Sequence, residues 1–207
     1  MHKIYKYLLL MALVLLGISY GAVAMAMTKV AVLPLVNKVK NDEAAPQFYY
    51  GEIIQTLTHM DDFYFEDGDR VTESIERNVK EGQMPKPEVL ARIAQEGQVD
   101  MVYVMELDKL GDKPIHRNSG DHKSQLQLRG RSLAYYAKDG RIFERSFSDD
   151  KTILASMRAR RDWVHEEFAR HVSREIRTAL KHSLSKEERE AKEREEHQKA
   201  AAAWSIK

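Results

Sequence analysis

Lys29-Val-Ala-Val-Leu-Pro-Leu-Val-Asn37 is the stretch whose reading decides the fold. It holds seven consecutive apolar residues, Val30 to Val36, three of them β-branched. A half-exposed strand alternates apolar and polar residues, whereas a strand covered on both faces does not. The run therefore predicts a doubly buried strand. Pro34 has no N–H to give a ladder, so it belongs near the strand's end. A strand buried on both faces needs helices above and below it.

The downstream sequence supplies them. Tyr50, Ile53, Ile54, Leu57 and Met60 recur at helical steps and predict a helix over 44–60 with one apolar face. Phe63-Tyr64-Phe65 predicts a short strand. Val71, Ile75 and Val79 predict a helix over 70–80 capped by Asp69. Pro87 opens a third helix, with Val89, Leu90, Ile93 and Ala94 inward and Gly97 as its stop. Val99 to Leu107 is a second doubly buried strand. Asp108 to Lys123 is polar, carries Gly111, Pro114 and Gly120, and is expected to be a long loop. Gln125–Ala137 and Arg141–Phe147 predict a hairpin turning at Asp139-Gly140. Leu126 and Leu128 are apolar at even positions, Leu133 and Tyr135 at odd ones, which predicts a β-bulge near Gly130. A long helix over 156–181 carries the stripe Val164, Phe168, Val172, Ile176 and Leu180, with Trp163 beside it. The sum is an α/β fold: a three-layer mixed sheet with helices on both faces, in the order β-α-β-α-α-β-β-β-α.

Three segments follow from this reading. Residues 1–26 have a basic start at His2, Lys3 and Lys6, an apolar run from Leu8 to Leu16, and a small-x-small site at Ala24-Met25-Ala26. Those are the parts of a cleaved secretory signal peptide, with an uncleaved anchor as the alternative. Residues 27–182 form the α/β domain. Residues 183–207 form a charged helical tail: Ser185-x-x-Glu188 is a capping box, and Glu188/Lys192, Glu190/Arg194 and Glu195/Lys199 are i,i+4 pairs without an apolar face. The formal charge is +1, and removing Lys3 and Lys6 leaves +1 − 2 = −1. A near-neutral chain has no global pull on nucleic acid, so none is expected as a partner. The sequence contains no cysteine, so a disulfide and a lipid-modified amino-terminal Cys are both ruled out on this reading. The expectation is an exported, periplasmic or envelope-associated protein that is not a lipoprotein and meets the membrane only through an uncleaved signal segment.

Chemical motifs are few. No glycine spacing matches a P-loop or dinucleotide fingerprint, and no serine sits in a G-x-S-x-G elbow. His165-Glu166 resembles the start of a zinc-protease helix, but position 169 is Ala, and His171 falls on another face. Asp61, Asp62, Glu66, Asp67 and Asp69 are acidic without the spacing of a calcium loop, and read as turn and cap residues. No cofactor, metal or catalytic residue is expected. The segments without a structural duty are the 108–123 stretch and the tail. His116, Arg117, His122 and Lys123, with Trp204 and Ile206 as a terminal apolar hook, are the candidate partner-binding residues.

Val30-Ala-Val-Leu-Pro-Leu-Val-Asn37 resembles the opening strand of the TolB amino-terminal and CsgG-like envelope domains, with Leu35 where an aromatic is usual. Phe63–Ile75, the Val99-Asp100-Met101-Val102-Tyr103-Val104 strand and the Ala137-Lys-Asp-Gly-Arg-Ile-Phe143 turn resemble further pieces of that pattern, in the same order. The resemblance implies an anticodon-binding-like α/β domain that binds in the cell envelope without catalysis. The expected role is a non-enzymatic adaptor for another envelope protein, with a homo-oligomer allowed. The alternative is an envelope hydrolase or metal-binding protein using the acidic turn and the loop histidines.

Overall fold

The computed structural model describes residues 27–116, 122–154 and 162–184. Its strands are β1 (Thr28–Val32), β2 (Val36–Asn37), β3 (Phe63–Phe65), β4 (Met101–His116), β5 (His122–Tyr136), β6 (Ile142–Asp149) and β7 (Thr152–Leu154). Its helices are α1 (Ala45–Thr58), α2 (Asp69–Asn78), α3 (Pro87–Gly97) and α4 (Trp163–Ser183). One mixed seven-stranded sheet runs in the order β3-β1-β4-β5-β6, with β2 beside β4 and β7 beside β5. β1 lies between β3 and β4, parallel to both. The β4–β5, β5–β6 and β5–β7 pairings are antiparallel.

The three layers follow from the two parities of the strands. Val30 and Val32 of β1, with Met101, Tyr103, Met105 and Leu107 of β4, face α1 and α4. Ala31 and Leu33, with Val102, Val104 and Leu133, face α2 and α3. Both residue sets are buried, which is why the opening stretch reads as an unbroken apolar run. That run is interrupted at Pro34. Leu33 N–H donates to the Tyr103 carbonyl at 2.9 Å, pairing stops at Pro34, and β2 resumes opposite Glu106 and Leu107.

Helix faces differ from expectation in detail. In α1 the buried tyrosine is Tyr49, whose hydroxyl donates to the Leu33 carbonyl, and Ile54 is exposed. Asp69 is the first residue of α2 rather than its cap, and Gly68 precedes it. Gly97 is the last residue of α3; the left-handed position is Gln98, with φ of 52°. Gly97 is required by contact instead, since a Cβ there would stand 2.8 Å from Val71 Cγ2. At the hairpin turn only Gly140 takes a positive φ, so the turn is longer than a two-residue Asp-Gly reversal.

Two larger corrections concern the hairpin arms. β5 has no bulge: Leu126, Leu128, Gly130, Ser132, Ala134 and Tyr136 are all buried and share one parity. Leu133 and Tyr135 are apolar because the sheet is covered on its second face from there on. The bulge lies on the facing strand, where Leu107 pairs Gly130 and Lys109 pairs Arg129, leaving Asp108 extra. It carries Leu110 back to the side occupied by Leu107. The expected long loop at 108–123 is for the most part paired strand, with register continuous from Lys109↔Arg129 to His116↔His122. The 156–162 start expected for the last helix lies largely outside the described residues; the helix described begins at Trp163.

Candidate functional site

α2 and α3 cover only part of their face of the sheet. Beyond Val104 and Leu133 no described helix packs there, and the next residues are polar. Glu106 is at the boundary, its side chain 4% exposed. Lys38, just after β2, places Nζ 2.7 Å from Glu106 Oε2, and Arg131 Nε donates to Glu106 Oε1 at 2.8 Å. Burial acts to raise the Glu106 pKa, but the hydrogen bonds from Lys38 and Arg131 together prevail and leave it lowered. Hydrogen bonding to Glu106 in turn raises Arg131. Arg131 reaches Glu144 on β6 at 3.5 Å, and Lys38 reaches Asp108 at 3.8 Å.

Past this network the face widens along the hairpin. Asp108, Arg129, Arg131, Ser146 and Ser148 surround a depression of about 400 Å³ over the bulge. Lys109 pairs Arg129, and Lys113 pairs Gln125, with Lys123 two residues further along β5. Ser146 and Ser148 lie on β6, whose outer edge has no strand partner among the described residues. Exposed Ile142, Glu144, Arg145 and Ser146 run along that edge. The surface is open and polar, with no nucleophile held against a base. A larger trough of about 620 Å³ separates α1 from α4 by Phe48, Gly51 and Ala169. It is a valley between two helices, lined also by Gln47, Glu52, Gln55, Glu166 and Arg170; the sheet face, which adjoins a strand edge unpaired among the described residues, is the better candidate for docking.

The sequence-predicted residues fall as follows. Lys123 is on β5 beside the open face; His116 and His122 pair with each other at the ends of β4 and β5. Arg117, Trp204 and Ile206 lie outside the described residues, as do the signal segment and the tail from Ser185. The acidic turn adjoins β3, at the edge of the sheet remote from β5 and β6, so it is not brought to the histidines. Among the described residues no three His, Asp or Glu side chains form a group able to hold a metal ion. His165 is occupied structurally: Nε2 lies 2.9 Å from Asp42 Oδ1, and its ring stacks on Phe48. Asp42 also accepts the N–H groups of Ala44 and Ala45 at the start of α1.

A buried polar cluster under α4 escaped the sequence reading. Glu175 is fully buried, 3.5 Å from Arg145 Nε and 3.7 Å from Arg174 Nε. Neither Glu175 oxygen is hydrogen-bonded, and the Tyr103 hydroxyl and Ser132 Oγ are likewise unmatched. Burial, then the nearby Glu175 charge, push Tyr103 well above the usual tyrosine range. One helical turn earlier, His171 Nε2 lies 2.8 Å from Asp149 Oδ2, and Phe147 stacks on its ring. The only sequence signal was spacing: 171 and 175 fall on the face that carries Phe168, Val172 and Ile176.

No protein-family profile matches the sequence, and no curated protein matches it. Solved structures do. The lipoprotein GNA1162 from Neisseria meningitidis is 13% identical, with a TM-score of 0.43, covering 73% of this chain and 99% of its own. The LpoB C-terminal domain from Salmonella enterica is 9% identical, with a TM-score of 0.39, covering 65% and 91%. A minor lipoprotein from Acinetobacter baumannii is 9% identical, with a TM-score of 0.36, covering 74% and 94%. None of these three is a TolB or CsgG protein by name. Two of them are lipoproteins by name, and this corrects one expectation. The expectation that a chain without cysteine is not a lipoprotein is withdrawn, since lipoproteins are among the structures it matches.

Proposed function

We propose that the domain is a non-catalytic binding module of the cell envelope, an adaptor that docks another envelope protein on the β5–β6 end of its sheet. The observation that carries this is the incomplete third layer. α2 and α3 stop at Val104 and Leu133, leaving a sheet face that is open among the described residues and adjoins the edge of β6, which none of them pairs. A sheet edge and an uncovered face offer backbone and side-chain contacts without a pocket. Catalysis would call for several polar groups converging in one concavity; the depression over the bulge holds a single carboxylate, Asp108, which is within reach of Lys38. The resemblance of the β1, β3–α2 and β4 segments to TolB amino-terminal and CsgG-like domains supports the envelope setting. In this reading Lys123 belongs to the docking surface, His116 and His122 end the strands beside it, and Arg117 and the tail with Trp204 and Ile206 are proposed as further contacts.

A photo-crosslinking residue at Ser146, compared with one at exposed Glu81 beyond α2, tests it. Discrete adducts from position 146 alone are expected in intact cells. Equal labelling from both positions, or none from either, would refute a docking surface on β6. An adduct with a second copy of the chain would identify the partner as a homo-oligomer.

A further inference from the structure

The open face carries a charge arrangement that the fold does not need. Lys109 and Arg129 are direct cross-strand partners across the β4–β5 ladder, both exposed. Like charges placed directly opposite, about 5 Å apart at their Cβ atoms, destabilise a sheet. Neither has an acidic partner among the described residues, and neither do Lys113 and Lys123 on the same face. At about 3.4 Å per residue, Lys113 lies roughly 14 Å beyond Lys109. The acids on this face are Glu106, Asp108 and Glu144. The first is held by both Lys38 and Arg131, the second is within reach of Lys38, and the third of Arg131. The cations further along are left over. Gln125 and Gln127 stand between them on β5 and Ser146 and Ser148 beside them on β6, all uncharged hydrogen-bonding groups, while half-buried Ile115 pairs Lys123. No aromatic ring is exposed here, so stacking of nucleic-acid bases has no platform. No large apolar side chain is exposed between them to enter a lipid layer.

We infer that this cationic strip, Lys109, Lys113, Lys123 and Arg129, binds an extended acidic segment of a partner protein, with carboxylates spaced along the β4–β5 hairpin. This rests on the reading of the open face as a docking surface, and it adds the partner's chemistry. Arg129 can take a carboxylate through two parallel N–H donors, while the lysines act as point charges. The cross-strand repulsion is then relieved on binding, so part of the interaction is stored in the free domain.

The probe is a fluorescein-labelled deca-glutamate peptide titrated with the full chain at low salt and followed by anisotropy. Binding is expected, weakening at least tenfold in the Lys109→Glu/Arg129→Glu double variant and falling steeply as salt is raised. The charge-neutral pair Lys109→Gln/Arg129→Gln, which only removes repulsion and so folds, is expected to weaken it similarly. Lys80→Glu, on the far side of α2, is expected to change nothing. No binding of the acidic peptide, or binding by both double variants as tight as the parent's, would overturn the inference. Tighter binding to vesicles containing anionic lipid than to the peptide would also overturn it, in favour of a membrane surface. Crosslinking from Ser146 with no peptide binding would overturn the acidic partner while leaving the docking surface standing.

Discussion

Gly130 faces the β4 bulge, and replacing it by alanine is the most direct perturbation of the sheet. A Cβ at this position would lie 2.3 Å from the Glu106 carbonyl oxygen and 2.6 Å from Phe147 Cζ. Ordinary carbon–oxygen contacts begin near 3.3 Å, so the overlap with the backbone oxygen is about 1 Å. Phe147 can turn aside, but the Glu106 carbonyl is fixed by the ladder on both sides of the bulge. Gly130 does not have a positive φ, so its backbone conformation is open to alanine and the penalty is steric. Overpacking costs about 1–3 kcal/mol, and a backbone clash belongs at the upper end. At about 2–4 °C per kcal/mol for a domain of this size, Gly130→Ala should lower the Tm by roughly 6–12 °C, and Gly130→Val by more. Thermal unfolding followed by circular dichroism reads this directly. Pairing it with Phe147→Leu separates the two contacts: the double variant should recover only part of the loss. A Gly130→Ala midpoint within about 0.5 kcal/mol of the parent would refute the close approach, and full recovery with Phe147→Leu would show that the backbone oxygen is no obstacle.

Other perturbations test the remaining contacts. Glu106 has a lowered folded pKa, so its contribution is present above the unfolded value of about 4.3 and is lost as pH falls through the folded one. Glu106→Gln should therefore reduce stability by about 1–3 kcal/mol at pH 7, with the gap narrowing in urea titrations as pH falls below the unfolded value. Glu175→Leu should leave the Tm unchanged or raised, because an apolar side chain of similar size removes a buried, unhydrogen-bonded carboxylate; a large fall would mean that the Arg145 and Arg174 pairings outweigh its burial. Gln98→Gly should stabilise by up to about 1 kcal/mol by relieving the positive φ, whereas Gly97→Ala should destabilise against Val71. Deleting 185–207 is expected to leave the Tm nearly unchanged while weakening partner capture; a large fall would make the tail part of the core.

The buried half of this protein was legible and the open half was not, for one physical reason. Val30 to Leu33 and Met101 to Met105 are covered on both faces, so burial wrote itself into composition. Helix periodicities were equally plain, although Tyr49 and Tyr50, adjacent and alike, hid which one turned inward. From Asp108 onward one face of β4 meets no helix among the described residues, and on the other Asp112 stands among the leucines, its carboxylate accepting from the Ser124 hydroxyl at 3.0 Å. Alternation vanished, and a paired strand looked like a loop. The bulge was misplaced because Leu133 and Tyr135 gained cover, which mimics a change of register. The true mark was the three-residue step from Leu107 to Leu110. His171 and Glu175 went unread because burial of a polar residue leaves no trace in an apolar count, and the cationic strip because register pairs residues that are 20 apart in the chain.

The parallel half of the sheet also sets a timetable. Lys29 N–H donates to Asp100 Oδ2, 71 residues further on, whereas β5 and β6 meet across a single turn. In vectorial synthesis at about 5–20 residues per second, β1 leaves the ribosome several seconds before β4 exists to receive it. For that interval β1 can meet β3 and the first three helices but lacks the β4 partner on its other side. The antiparallel meander, made last, can close first, and its β4 edge is then the template on which the waiting strand docks. Until that moment Val30 to Leu33 is the segment a chaperone must shield, and the one through which two nascent chains would aggregate.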